Sequence, residues 1–382
     1  MRLLFSALGA YGHLYPLMPL AVAAREAGHH VVFATPEDFH PALAKAGLEP
    51  AAAGVLIGEA FATLFPGDPA TAREAPPEDL DEIIGQVFGR MLPDRFSADL
   101  RALFSRSRPD LVVYEFSNVG AAFAAMAAGV PALGHGFGRV SREGPMIEIE
   151  RVQREHAAEL GFTDDRPSWG NPVVDICPPS VQAPDFLARA RRVPLRPVGW
   201  SDTSELPPGL PGRDRTRPLI YLTLGTSPMS HADLLTAAIT GLSGLDAQVL
   251  VATGPSLEVA ALGQVPPNVR LESWVPQSAL LPHVDLVVHH GGSGTTLGAF
   301  GAGVPQLVLP QGADQFTNAA AVLAAGVGSR LVGDEATAES VRSSAAALLA
   351  DPTVADAARG LAAEVAGMPS PAEVAARLGE YA

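Results

Sequence analysis

Short apolar runs alternate with longer stretches of helical spacing along most of this chain. Arg2–Leu8, His30–Ala34 and Leu48–Ala52 are compact apolar segments that predict strands. Pro16–Ala27 and Pro36–Ala46 lie between them and predict helices, the first opened by a proline where a missing N–H costs little and closed by Gly28. Gly9 to His13 is then a turn. Gly54 to about Glu74 is rich in Gly, Phe and Pro and predicts an irregular loop. Pro77 to Phe104 carries two helical patterns broken at Pro93. Asp110–Tyr114 and Val130–Gly134 predict strands around a helix at Val119–Ala128, and Pro145–Leu160 a further helix.

From Arg192 to Pro218 the prolines crowd together: Pro194, Pro197, Pro207, Pro208, Pro211 and Pro218. Such a run predicts a semi-rigid linker, and the domain boundary falls inside it. Beyond it the alternation resumes. Leu219–Thr223, Gln248–Ala252, Val269–Glu272, Leu286–Val288 and Pro305–Leu309 predict strands. His231–Gly241, Ser278–Leu281, a segment from Leu297, Ala336–Ala350, Val354–Val365 and Pro371–Tyr381 predict helices. The expected fold class is α/β, with an N-terminal domain over residues 1–200 and a C-terminal domain over 217–370. Each is a parallel sheet covered on both faces, and ligands are expected in a cleft beyond the strand C-termini.

Composition narrows the function. The chain has 382 residues, enough for two cores, and 47% hydrophobic content, which excludes a disordered chain. A net charge of −15 argues against nucleic acid as a partner. Cys177 is the one cysteine, so no internal disulfide forms and a reducing, cytoplasmic setting is expected. No stretch approaches about 18 uninterrupted apolar residues, so no membrane span is expected. Whether the chain works alone or as a homodimer is left open.

The densest chemistry comes after Leu286–Val288. Two histidines, His289 and His290, precede Gly291-Gly292-Ser293-Gly294-Thr295-Thr296 and a helix start. A strand, a glycine turn and a helix N-terminus form an anion site, because free N–H groups and the helix dipole converge there. Thr295 and Thr296 add hydroxyl donors and His290 an imidazole donor. The glycines match neither the dinucleotide fingerprint nor the P-loop, since no lysine follows them. Asp314 and Gln315, just past a strand end, can bond sugar hydroxyls. His13 follows the first strand, and an unperturbed imidazole, with a pKa near about 6.5, can accept a proton at neutral pH.

The motifs HHGGSGTT (289–296) and ADQFTNA (313–319), with Trp274-Val275-Pro276-Gln277 and Gly12-His13-Leu14-Tyr15-Pro16, resemble family 1 glycosyltransferases of the actinomycete antibiotic type. The resemblance implies a GT-B fold of two facing Rossmann-like domains, with residues 371–382 returning to the first. It implies an inverting transfer from a nucleotide sugar to an apolar natural-product aglycone, with His13 as general base. Most members carry Asp after the fourth strand; here Glu115 stands there as the expected partner of His13. Trp274, Val275 and Gln277 are expected on the nucleotide base and ribose. Gly12, Thr226, Ser227, His290, Gly292, Ser293, Gly294 and Thr295 are expected around the diphosphate, and Asp314 and Gln315 on the sugar. His289 is expected to be structural. Phe61, Phe65, Phe88, Met91, Phe116 and Phe137 are candidate acceptor-lining residues. Plant relatives place a ribose-binding Glu where this chain has Gly298, which points to a dTDP-sugar over a UDP-sugar. No metal cluster is legible, so neither metal nor other cofactor is expected. The competing readings are a nucleotide-sugar epimerase on the same fold and a non-catalytic helper protein.

Overall fold

A computed structural model describes residues 1–64, 77–140, 143–201, 205–208, 210, 215–225, 232–254 and 264–382. The chain divides into two compact units. The first comprises Met1–Cys177, Gln182–Arg196 and Pro369–Ala382; the second comprises Pro178–Val181 and Pro197–Met368.

The first unit is built on seven strands: β1 (Arg2–Ser6), β2 (His30–Thr35), β3 (Glu49–Ala52), β4 (Leu111–Glu115), β5 (Ala132–His135), β6 (Val173–Asp175) and β7 (Arg192–Pro194). Their order is β3-β2-β1-β4-β5-β6-β7 and every pair is parallel. Parallel strands covered on both faces are mostly apolar, and β4 is buried at every position, its last residue Glu115 included. The order reverses at β1, which lies between β2 and β4. Ligands of open α/β sheets bind beyond the strand ends at such a reversal. His13 and Glu115 leave the sheet there.

The second unit repeats the plan with β8 (Leu219–Thr223), β9 (Gln248–Ala252), β10 (Val269–Glu272), β11 (Leu286–His289), β12 (Gln306–Val308) and β13 (Gly328–Arg330). The order is β10-β9-β8-β11-β12-β13, again parallel throughout. Its reversal lies between β8 and β11, where Gly225 and the 290–296 turn emerge. Each sheet carries its own apolar core. Fully burying a side chain such as Phe96 or Leu286 stabilises the fold by roughly 1.5–3 kcal/mol.

Several expectations need correction. Arg192–Pro194 is an edge strand rather than the start of the linker; at an edge a proline can go without its ladder bond. β6 and β13, three residues each, carry too little pattern to announce themselves. Ile57–Leu64 is a helix inside the region expected to be irregular. The helical stretch after it does not break at Pro93. A π-helical turn at Val87–Met91 interrupts it, and Pro93 sits in the tolerated first turn of Leu92–Arg106. His13 lies in a helical turn, Tyr11–Leu14, which runs through Tyr15–Leu17 into the helix Met18–Glu26. The helix at the second glycine turn begins at Ser293, not Leu297, so the hydroxyl residues occupy its first turn. The last helix, Pro371–Ala375, packs beside Met18–Glu26 in the first unit. Among the described residues no helix is long and apolar enough to cross a membrane.

Candidate functional site

In the first unit β1 and β4 are neighbours, so the turn that leaves β1 meets the end of β4. His13 Nδ1 lies 3.0 Å from Glu115 Oε2, with the histidine 19% exposed and the glutamate fully buried. The approach is oblique, closer to a charge contact than to an aligned hydrogen bond. The other carboxylate oxygen accepts the Ser117 N–H at 2.6 Å. A glutamate in place of the shorter aspartate therefore still reaches the imidazole, because the main chain behind it fixes one oxygen. A buried carboxylate needs such partners. The His13 ring also lies 5.1 Å from the Phe137 ring. Asn118, a residue the sequence does not single out, donates to Ser6 Oγ at 2.9 Å, and Ser6 Oγ donates to the Ala34 carbonyl. This chain of bonds ties the turn after β4 to β1 and β2. Gly12 has open space where a side chain would stand.

The expected acceptor-lining set is only partly brought together. Phe61 and Phe88 meet edge to face with ring centroids 6.2 Å apart, and with Met91 they pack on the core. Aromatic composition cannot separate that role from lining a cavity. Phe65 lies outside the described residues. A cavity of about 240 Å³ does exist in this unit, with Phe116, Val119, Met146, Ile149, Trp169 and Phe186 on its apolar side and charged residues such as Arg139, Glu150, Arg154 and Arg189 also lining it. Only Phe116 belongs to both sets.

In the second unit the glycine turn is tight. Gly291 has φ of +96° and Gly292 caps the helix Ser293–Ala302. The first-turn amides have no carbonyl one turn back to bond, so they are free to meet an anion. His290 is wedged against this turn. A Cβ on Gly225 would come 2.6 Å from its Cε1, and one on Gly292 would come 2.5 Å from its Nε2. Of its two nitrogens, Nε2 lies nearer the turn. Burial lowers the His290 pKa, against the opposing pull of Asp314 and the Thr223 main chain. Burial thus favours the neutral form of the ring.

The hydroxyls expected to meet the phosphates are engaged inside the protein. Ser293 Oγ donates to Asp314 Oδ2 at 2.7 Å, Thr295 Oγ1 to Gln277 Oε1 at 3.1 Å, and Thr296 Oγ1 to the Gly292 carbonyl at 3.0 Å. Each hydroxyl has one proton to give. The donors left for an anion are main-chain amides and His290. Asp314 thereby buttresses the turn through Oδ2, and Gln315 Oε1 accepts the Gln311 and Gly312 amides at 2.7 and 3.2 Å. Asn318 escapes a sequence-based site assignment although it lies within the ADQFTNA motif. Its Nδ2 reaches the Gly291 carbonyl, Ser293 Oγ and Asp314 Oδ2 at 2.8, 3.0 and 3.0 Å. Trp274 is 42% exposed and Val275 buried. A Cβ on Gly298 would meet Leu281 Cδ1 at 2.9 Å and Gln277 Nε2 at 3.5 Å. Thr226 and Ser227 lie outside the described residues. Among the described residues no cluster of three metal-ligating side chains occurs.

Comparison with known proteins bears on both units. Residues 22–225 match the N-terminal domain model, and residues 236–381 the C-terminal domain model, described as erythromycin biosynthesis protein CIII-like. The chain is 35% identical over 357 residues to the L-demethylnoviosyl transferase of Streptomyces niveus, covering 91% of this chain and 89% of that protein. The glycosyltransferase SsfS6 of Streptomyces sp. SF2575, solved in complex with thymidine diphosphate, superposes with a TM-score of 0.78 at 32% identity and full coverage of both chains. The spinosyn rhamnosyltransferase SpnG, solved with spinosyn aglycone, superposes at 0.82 with 26% identity, covering 99% of this chain and 100% of that one.

Proposed function

This chain belongs to the erythromycin biosynthesis protein CIII-like family of antibiotic-pathway glycosyltransferases, and we propose that it is an inverting enzyme transferring a sugar from a dTDP-sugar to a hydroxyl of an apolar natural product. Its two parallel sheets are the Rossmann-like domains of the GT-B fold. In the proposed mechanism His13 takes the proton from the acceptor hydroxyl, and the freed oxygen attacks the anomeric carbon from the face opposite the diphosphate. The bond to the diphosphate breaks, and its negative charge falls on the 290–296 turn, whose fixed donors stabilise it. Glu115 holds the His13 ring and stabilises the imidazolium formed.

One observation carries this reading: the 3.0 Å approach of His13 to a fully buried carboxylate. A merely structural histidine has no need of a buried carboxyl group beside it. The dTDP assignment draws on Gly298, which leaves the ribose without a carboxylate, and on the thymidine diphosphate complex of SsfS6. The cavity at Phe116 and Trp169 suits the apolar part of the acceptor, as the aglycone complex of SpnG encourages. With neutral donors and a helix N-terminus on the diphosphate, the reaction runs without a metal ion, in the cytoplasm.

His13→Ala tests the reading. Transfer should fall roughly 10²–10⁴-fold, while dTDP affinity measured by calorimetry stays at the wild-type value. Turnover close to wild type removes His13 from the mechanism.

A further inference from the structure

The glycine turn is held from behind by two side chains that do not reach its surface. His289 and Gln306 are fully buried, at the end of β11 and the start of the neighbouring β12. The Gly291 N–H donates to His289 Nδ1 at 3.1 Å, so Nδ1 is the bare nitrogen and Nε2 carries the proton. Nε2 lies 2.9 Å from Gln306 Oε1 and donates there. That orients the amide, whose Nε2 faces the Thr296 carbonyl at 3.5 Å. The three contacts agree on one direction of donation, from Gly291 through both side chains to the first turn of the helix Ser293–Ala302. Burial, chiefly, keeps the ring neutral, with its pKa lowered to about 3. One tautomer therefore persists across the working range. From the other side Asn318 takes the Gly291 carbonyl, so both main-chain groups of that glycine are tied. Gly291 has no slack either: a Cβ there would lie 2.9 Å from the Gln315 carbonyl and from Val308 Cγ1.

A leucine and a methionine could fill the same space without desolvating two polar groups. They could not accept the Gly291 N–H. We propose that His289 and Gln306 are positioning residues for donor binding, a one-way hydrogen-bond relay that fixes Gly291 and the first helical turn so that the turn's amides converge on a diphosphate. The inference rests on the reading of this turn as the diphosphate site. The relay lies behind the turn and touches no substrate. Its effect is to have the donors in place before the charge arrives.

The test uses the full chain. His289→Leu removes the acceptor at similar volume, whereas His289→Asn keeps an oxygen near the position of Nδ1. Hydrogen exchange of the Gly291 amide, read by NMR without ligand, should lose protection in His289→Leu and largely regain it in His289→Asn. Calorimetry with dTDP should follow the same order, with His289→Leu roughly tenfold to a hundredfold weaker and the KM for acceptor unchanged. If His289→Leu fails to fold, Gln306→Met carries the test. It should mix the His289 tautomers, seen in the ring ¹⁵N shifts, and weaken dTDP. Wild-type exchange at Gly291 in His289→Leu overturns the relay, as do unmixed tautomers in Gln306→Met. Lost protection with wild-type dTDP affinity overturns its role in donor binding. A wild-type protein that binds no dTDP overturns instead the reading of the turn as the donor site.

Discussion

Replacing Gly225 by alanine puts a methyl group where the His290 ring now lies. The new Cβ would stand 2.6 Å from Cε1 and 2.7 Å from Nε2, about an ångström inside the optimum for carbon contacts. The ring has to move, and with it the nitrogen that faces the turn. The backbone adds a separate cost. Gly225 has φ of +84°, a left-handed conformation that costs an L-residue about 1–2 kcal/mol. Gly292→Ala separates the two effects. Its φ is −61°, which any residue accepts, yet its Cβ would press on the same Nε2 at 2.5 Å. Both variants should therefore lose the His290 hydrogen bond to a charged phosphate. Such bonds contribute about 1.5–3 kcal/mol, which is roughly a tenfold to 150-fold rise in the Kd for dTDP. Gly225→Ala should lower Tm further than Gly292→Ala does, by roughly 2–4 °C for each kcal/mol of backbone strain. Added to His290→Ala, neither change should weaken dTDP further, because the donor is already gone. The assays are titration calorimetry and thermal unfolding. If both variants bind dTDP within about twofold of wild type, His290 does not hold the diphosphate.

Wild-type protein should bind dTDP more tightly than UDP by about 1–3 kcal/mol, the cost of a buried 2′-hydroxyl without a partner. Gly298→Glu alone meets Leu281, so the double change with Leu281→Ala is the one expected to narrow that preference; calorimetry that finds UDP favoured by the wild type removes the argument. Glu115→Asp withdraws the carboxylate from His13 by one bond of about 1.5 Å, and transfer should slow on the order of tenfold at unchanged dTDP affinity. An equal or faster rate would assign Glu115 to the fold alone. Buried His289 and His135 are held neutral, with pKa values lowered to about 3 and about 4. Below about pH 6.5 the unfolded chain takes up protons that these two rings refuse when folded. Their stabilisation is complete above that pH and is lost as pH falls toward the folded values, at about 1.4 kcal/mol per unit for each ring. Urea unfolding at about pH 7 and about pH 5 should show the loss; equal stability at both refutes it.

The glycine turn was legible because its parts are contiguous: a buried strand, glycines and a helix start within a dozen residues. The alternation of strands and helices likewise exposed both sheets, since parallel strands are mostly apolar on both faces. What contiguity cannot disclose is the partner of each polar atom. Thr295 is matched to Gln277, 18 residues away, and Ser293 to Asp314, 21 residues away. From sequence those hydroxyls looked available to a ligand; the fold engages them. His289 looked inert because strand alternation turns it inward, and only its contact with Gln306 gives the inward side a role. The aromatic residues show the same limit in another form. Phe61 and Phe88 satisfy a lining pattern and a packing pattern equally well, and tertiary neighbours decide. Trp169, which does wall the cavity, sits in a stretch without periodicity.

The return of the chain to its first unit has a consequence for how the molecule is made. Val374, Ala375 and Leu378 are buried, and the Arg196 N–H donates to the Pro369 carbonyl at 2.7 Å, all within the first unit. During synthesis the seven-stranded sheet can assemble once β7 has emerged, but the apolar strip on Met18–Glu26 stays bare while the whole second unit is translated. At about 5–20 residues per second that wait lasts on the order of ten seconds or more. The second unit, whose strands all lie between residues 219 and 330, has no such wait. The order of completion is therefore the reverse of the order of synthesis. The nascent first unit carries a sticky seam through that interval, which makes it the part of the chain most in need of a chaperone's cover.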